Sequence, residues 1–318
     1  MKKICILGAN GRLGHMAARR FYAAGYLVTA VSRSGHVQDL PAGILHRKAE
    51  ALDASSLLQA TAGTDFIFNA LNPVYTNWAQ HALPMAENVM KAAAAHQAIH
   101  LFPGNVYNYG SEMPARLTAD TPFSPTTAKG EIRCAMEAMF KSRAEHDTVK
   151  TIILRAGDFF GGARLGSWFD LVLKSKLHKS ILLYPGPVDI PHSWAYLPDF
   201  ADAFVHIADE IETYSGFENL VFEGHTLTGQ DIRTALGTIL GHPLKVGGLP
   251  WALLKAGGIV KPMWREVSDM KYLWFTPHQL EDFAGRGSAA QFQQTPTIDA
   301  FRAALDDLGF PASRLKAA

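Results

Sequence analysis

At 318 residues the chain is long enough for a large buried core, and at roughly 150 residues per domain it suggests about two units. Hydrophobic residues make up 48% and charged residues 19%, with 30 Lys+Arg against 29 Asp+Glu, so no basic excess points to nucleic acid or an anionic membrane as partner. No run approaches the ~18 apolar residues of a membrane span and the N-terminal apolar stretch carries no cleavage pattern, so a cytoplasmic protein acting on a small-molecule substrate is expected, with no membrane partner.

In chain order, short apolar runs predict strands at Ile4 to Leu7, Tyr26 to Val31, Asp65 to Asn69, Ile99 to Phe102 and Thr151 to Leu154. Helical patterns lie between them at about 12–24, 54–62, 77–96 and 129–145, the first carrying Leu13, Met16, Ala17, Phe21 and Ala24 on one face and stopped by Gly25. Strands this apolar on both faces belong in a parallel sheet covered by helices. Beyond Leu154 the alternation is lost among Gly157, Gly161, Gly162, Gly166 and Pro185-Gly186-Pro187. Helices are expected near Pro198, from the Thr228/Asp231 capping pair to Gly241, after Thr276-Pro277 and after Thr297. The predicted fold is α/β: a Rossmann-type doubly wound parallel sheet (1–160 and 187–222) with a smaller mixed α/β substrate-capping lobe (161–186 and 223–318).

Gly8-Ala9-Asn10-Gly11-Arg12-Leu13-Gly14 follows the first strand and opens a helix. Glycines there let the backbone approach a pyrophosphate, which the free N–H groups of the helix terminus attract. The second strand ends Val31-Ser32-Arg33-Ser34, with no acid until Asp39 where NAD sites hold the ribose 2′-hydroxyl by a carboxylate. Arg33 can pair instead with a 2′-phosphate, with Ser32, Ser34 and Arg12 as further donors, so NADP is predicted ahead of NAD.

These residues resemble the short-chain dehydrogenase/reductase superfamily, in its extended or atypical branch of NAD-dependent epimerase/dehydratase-like proteins. The resemblance covers about the first two hundred residues. It adds Glu50-Ala51-Leu52-Asp53 beside the adenine, Asn69-Ala70-Leu71-Asn72 at the end of the strand predicted at Asp65 to Asn69, and the segments 103–110, 155–161 and 194–201. It implies cofactor contacts from Gly8, Asn10, Gly11, Arg12, Leu13, Gly14, Ala51, Leu52, Asn69, Ala70 and Leu71. It also implies a Tyr-x-x-x-Lys pair in which a lysine lowers the tyrosine pKa so that the hydroxyl can exchange a proton with substrate. Lys129 stands at the lysine position and is expected on the nicotinamide ribose. The tyrosine position is Pro125, which has no proton to give. Asn105 takes the family serine position and can hold a carbonyl oxygen. Tyr107, Tyr109 and Tyr75, in loops after neighbouring strands, are the candidates to supply the missing hydroxyl.

Tyr75, Trp78, Trp168, His192 and Trp194 fall where substrate is expected, although for most of the aromatics packing at the lobe interface is the reading preferred. Cys5 and Cys134 give neither a metal spacing nor a disulfide framework, and no histidine pair has metal-ligand spacing. The resulting expectation is an NADP(H)-dependent oxidoreductase acting on a carbonyl/alcohol group of a small organic substrate. Two alternatives stand beside it: an epimerase or dehydratase on a sugar nucleotide, and a redox sensor that binds NADP(H) without turnover. The helices at 77–96 and 129–145, the family's usual dimerisation pair, leave monomer and homodimer open.

Overall fold

The computed structural model describes residues 1–281 and 292–310. Strand β1 (Lys3–Leu7) is followed by α1 (Arg12–Ala23), β2 (Leu27–Ser32), β3 (Leu45–Lys48), α2 (Ala54–Ala60), β4 (Phe66–Asn69), α3 (Trp78–His96), β5 (Ile99–Gly104), β6 (Arg116–Leu117), α4 (Ala128–His146) and β7 (Thr151–Arg155). Then come β8 (Asp158–Phe160), β9 (Ile181–Tyr184), β10 (His192–Tyr196), α5 (Leu197–Asp209), β11 (Phe217–Val221) and β12 (His225–Leu227). The remainder comprises α6 (Gly229–Leu240), β13 (Lys245–Gly248), α7 (Trp251–Gly257), α8 (Pro262–Ser268), β14 (Gln279–Leu280) and α9 (Thr297–Asp307). Of the capping lobe expected from sequence, 282–291 and 311–318 lie outside the described residues.

Seven parallel strands form the main sheet in the order β11-β7-β5-β4-β1-β2-β3, the Rossmann arrangement with helices on both faces. Alternation along β1 divides the core: Ile4 and Ile6 face the layer of Phe21, Phe68 and Phe204 beside α1 and α5. Cys5 and Leu7 face the layer of Val89, Met90, Phe102 and Phe140 beside α3 and α4. Strand order reverses between β1 and β4, and that switch point opens a crevice at the carboxyl ends of the strands.

Two sheet strands escape the sequence signal. β3, Leu45-His46-Arg47-Lys48, is an edge strand with no buried residue, so it lacks the apolar run that marks its neighbours. Among the described residues β11 pairs only with β7, and it alternates weakly. The helix expected after Thr276-Pro277 is not formed where β14 stands instead. His278 N–H donates to the Pro191 carbonyl (3.1 Å) and Gln279 pairs with Arg116 of β6, so tertiary partners overrule the proline's helix-start preference. α7 and α8 had no counterpart among the expected elements.

The smaller part is built on the three-stranded sheet β12-β10-β8 and the pair β13-β9. Its core stacks Phe160, Phe169, Trp194, Trp274 and Phe301 against α6 and α9. Thr228 and Asp231 form the expected capping box, and Gly241 closes α6 in the left-handed conformation.

Arg155, at the end of β7, is completely buried and ties the sheet to the loop that carries the site. Its guanidinium donates to both carboxylate oxygens of Glu137 on α4 (2.7 and 3.2 Å), to the Asn105 carbonyl (2.5 Å) and to the Asn219 side chain (3.1 Å). Glu137→Ala is expected to destabilise the protein by about 3 to 5 kcal/mol, because it strands a buried cation. Urea unfolding measures it, and a loss below about 1 kcal/mol would mean that water reaches Arg155.

Candidate functional site

The glycine loop shows which glycines the fold itself requires. Gly8 adopts φ +74°, and a Cβ there would lie 2.6 Å from the Ala70 carbonyl oxygen. At Gly14 a Cβ would meet the Gly8 oxygen at 2.4 Å. Both residues are demanded by contact between β1, α1 and the end of β4. Gly11 is exposed, and a Cβ there would have only the Gly8 oxygen near it, at 3.2 Å. It is also the N-cap of α1, where no side chain accepts from the free N–H groups. An open surface above an uncapped twelve-residue helix fits a dinucleotide pyrophosphate; Asn10 and Gly11 are exposed there, whereas Leu13 packs partly buried against the core.

At the end of β2, Arg33 and Ser34 are exposed while Ser32 is buried. The two serine hydroxyls are engaged locally: Ser32 Oγ lies 3.1 Å from Ser34 Oγ, and Ser34 donates to the His36 carbonyl (2.7 Å). Asn10 Nδ2 reaches Ser34 Oγ at 3.4 Å, joining the glycine loop to this corner. Arg12 departs from its expected role as a phosphate donor. It donates to the carbonyls of Arg164 (2.6 Å) and Gly161 (2.8 Å), and burial pulls its pKa down. Arg164 takes up a position that sequence reasoning missed, donating to the carbonyls of Asn10 and Gln38 (both 2.9 Å) beside Ser34. Ala51 is buried and its carbonyl accepts from Asn88 of α3 (3.1 Å), while Leu52 is exposed at 43%. Asn69 is buried, its Oδ1 accepting from Leu71 N–H (3.3 Å), and fixes the Asn69-Ala70-Leu71 turn under the loop.

Four of the residues expected at the crevice come together. Lys129 opens α4, is 4% exposed, pairs with the Glu266 carboxylate on α8, and lies 5.0 Å from the Tyr75 ring centre. Tyr75 Oη lies 3.1 Å from Tyr107 Oη, and the Tyr75 ring packs edge-on against Trp78 at 5.5 Å. Burial raises both tyrosine pKa values, Tyr107 well above the ordinary value, with the negative charge of Asp158 adding to each. With Lys129 turned to Glu266, the two hydroxyls stay protonated near neutrality, and since one donates to the other, one hydrogen of the pair is left to donate. Asn105 lies beside them, its Oδ1 accepting from Tyr107 N–H (3.0 Å), which leaves the amide nitrogen as the group able to meet an oxygen.

Other expected residues are packing residues. Tyr109 is 1% exposed, sits among Val106, Met113, Leu117 and Leu273, and donates to the Thr118 carbonyl (3.3 Å), so it does not supply the crevice hydroxyl. Trp194 is fully buried between Phe160 and Trp274, and Trp168 packs on Trp251 and Trp274, as lobe-core residues. Trp78 is buried, donating to the Pro73 carbonyl (2.9 Å), and forms the wall behind Tyr75. His192 is buried and pairs with Asp158 (2.9 Å). Glu266 and Asp158 were missed because each is a single carboxylate far in sequence from its partner. The one available signal was Asp158 within the Arg155 to Gly161 segment.

Residues 4–219 match the model of the NAD dependent epimerase/dehydratase family. No curated protein matches the sequence. Among solved structures, the chain is similar to UDP-glucose 4-epimerase from Brucella ovis in complex with NAD, at 14% identity and TM-score 0.75, covering 97% of this chain and 99% of that one. It is similar to UDP-glucuronic acid 4-epimerase from Bacillus cereus in complex with UDP-glucuronic acid and NAD, at 15% identity and TM-score 0.74, covering 96% and 99%. A nucleoside-diphosphate-sugar epimerase from Pseudomonas aeruginosa matches at 20% identity and TM-score 0.73, covering 98% and 99%. Identities this low speak for the shared fold.

Proposed function

The chain belongs to the NAD dependent epimerase/dehydratase family, and from that premise we propose that it oxidises a hydroxyl-bearing carbon of a sugar-nucleotide-like substrate by means of a bound nicotinamide dinucleotide, NADP(H) ahead of NAD(H). The observation that carries the reading is the pairing of an open, uncapped α1 terminus at Gly11 with a polar crevice of Lys129, Tyr75, Tyr107 and Asp158. When bound, the nicotinamide supplies a two-electron hydride acceptor. Gly11 and its neighbours would hold the pyrophosphate, Arg33 the 2′-phosphate, and Lys129 the nicotinamide ribose once released from Glu266. Asn105 and the tyrosine pair would hold the reacting oxygen. Net reduction of a carbonyl is the second reading, favoured by two tyrosines kept in their proton-bearing form.

Fluorescence titration with NADPH and NADH, followed by incubation with UDP-glucose, UDP-galactose and UDP-glucuronic acid, tests both halves of the proposal. Tighter binding of NADPH and interconversion or oxidation of one of these sugars are expected. Arg33→Ala should weaken NADPH binding by about 1.5 to 3 kcal/mol, the range of a hydrogen bond to a charged group, and leave NADH nearly unchanged. Equal losses for the two cofactors would overturn the NADP preference.

A further inference from the structure

The tyrosine pair leaves one requirement unmet. Oxidising an alcohol needs a group that accepts the hydroxyl proton, and two protonated tyrosines with raised pKa values are poor acceptors. Pro125 offers nothing at the family position, and Glu266 keeps a second cation beside it, Arg265 at 3.8 Å, when Lys129 turns to the ribose.

Asp158 starts β8 and lies opposite Trp194 of the parallel strand β10, so it shares a sheet face with His192, two residues before Trp194. His192 Nε2 stands 2.9 Å from Asp158 Oδ2, and His192 Nδ1 stands 3.2 Å from the Leu273 carbonyl oxygen. A carbonyl oxygen only accepts, so Nδ1 carries a hydrogen. On the other side of the ring, Nε2 faces Asp158 Oδ2 and orients the carboxylate. The ring is fixed by stacking on Trp274, centroids 4.5 Å apart at 11°. His278, whose ring centre is also 4.5 Å away, is held neutral by burial, its pKa pulled down to about 3, and adds no competing charge.

The carboxylate is not sealed in, with 18% of the Asp158 side chain exposed. Its negative charge adds to the raised pKa values of Tyr75, Tyr107, Tyr184 and Tyr272, after the larger effect of their own burial. Among the described residues, further charged groups on this side are Arg133, beneath Trp78, the Lys129–Glu266 pair, and Arg265, 3.8 Å from Glu266.

We propose that Asp158, held in place by His192, accepts the proton of the substrate hydroxyl and returns it on reduction, Asp158 being the catalytic residue and His192 its positioning partner. The proposal rests on the redox reading above. In the oxidising direction the O–H bond breaks and its proton passes to the Asp158 carboxylate, while the C–H bond breaks and its hydrogen leaves with the electron pair as hydride to the oxidised nicotinamide. The substrate loses two electrons, the cofactor gains two, and the proton rests on the dyad.

Nitrogen NMR of the ligand-free protein with isotope-labelled histidine tests the dyad without any substrate. A protonated Nδ1 and an Nε2 hydrogen-bonded to Asp158 are expected for His192, with Asp158→Asn converting Nε2 into a bare acceptor. A bare Nδ1 in the wild type, or no response to Asp158→Asn, overturns the proposal. With the dinucleotide and the three UDP-sugars, Asp158→Asn should lower turnover on the order of 10²- to 10⁴-fold, the span of general-base catalysis, with cofactor affinity within about threefold. His192→Gln should lower turnover less and shift its pH profile, which a merely structural role would not do. Turnover of Asp158→Asn within about threefold of wild type sinks the dyad while the redox reading stands. Absence of turnover in the wild type counts against the redox reading, and the NMR result then decides the dyad.

Discussion

Replacing Gly11 by valine is expected to abolish dinucleotide binding and leave the fold in place. Gly11 has φ −74° and ψ 163°, a region where valine is at ease, so the substitution carries no backbone strain. The cost to the fold is a shift of a few tenths of an ångström against the Gly8 oxygen and a poorer N-cap, about 1 kcal/mol or less beyond what glycine already forgoes. A pyrophosphate seated on α1 would instead have a branched side chain in its path, just where the free N–H groups point. Gly8→Val and Gly14→Val are the wrong variants for this purpose, because their Cβ atoms collide with backbone at 2.6 and 2.4 Å and misfolding would imitate lost binding. Thermal melting by circular dichroism together with NADPH fluorescence titration separates the two effects. Normal melting with retained binding would mean that the loop merely turns the chain.

The same contrast explains what could be read from the sequence. The glycine loop, the strands of the sheet centre and the four flanking helices are written locally, in apolar periodicity and in Gly, Pro and Thr punctuation. β3 was silent because an exposed edge strand needs no apolar residues, and β14 because its pairing with β6 spans a long sequence separation. In the crevice, Tyr75 and Tyr107 were legible as residues that follow strands at the sheet's carboxyl edge, and Lys129 through its match to the family's lysine position at the head of α4. Tyr109, two positions beyond Tyr107, carried the same signal. Only the short helical turn at Tyr107–Tyr109 decides that one side chain meets Tyr75 and the other enters the core. The partners that set the electrostatics, Glu266 for Lys129, Asp158 for His192 and Arg164 for the glycine loop, are single residues from distant segments with no periodicity to announce them.

Tyr107→Phe is expected to lower turnover about 10²- to 10³-fold, the usual cost of removing one donor that stabilises charge developing on oxygen. As the proton passes to a carboxylate, the substrate oxygen briefly gains negative charge, and it needs a donor that does not itself ionise. Tyr107 meets that need, since burial and the neighbouring Asp158 hold its hydroxyl protonated and its backbone N–H is fixed by Asn105 (3.0 Å). Phenylalanine keeps the ring that packs beside Trp78, at 6.4 Å between centroids, so stability and cofactor affinity should change little. Tyr75→Phe removes the hydroxyl 3.1 Å from Tyr107 and should give a smaller loss, because it orients the donor. Tyr109→Phe supplies the control: its hydroxyl bonds Thr118 in the core, so it should cost some stability and leave kcat within about threefold. Steady-state kinetics on the UDP-sugars, with NADPH affinity measured in parallel, distinguishes these variants. If Tyr107→Phe turns over within about threefold of wild type, the oxygen is held elsewhere, and a water on the Asn105 amide becomes the donor to examine.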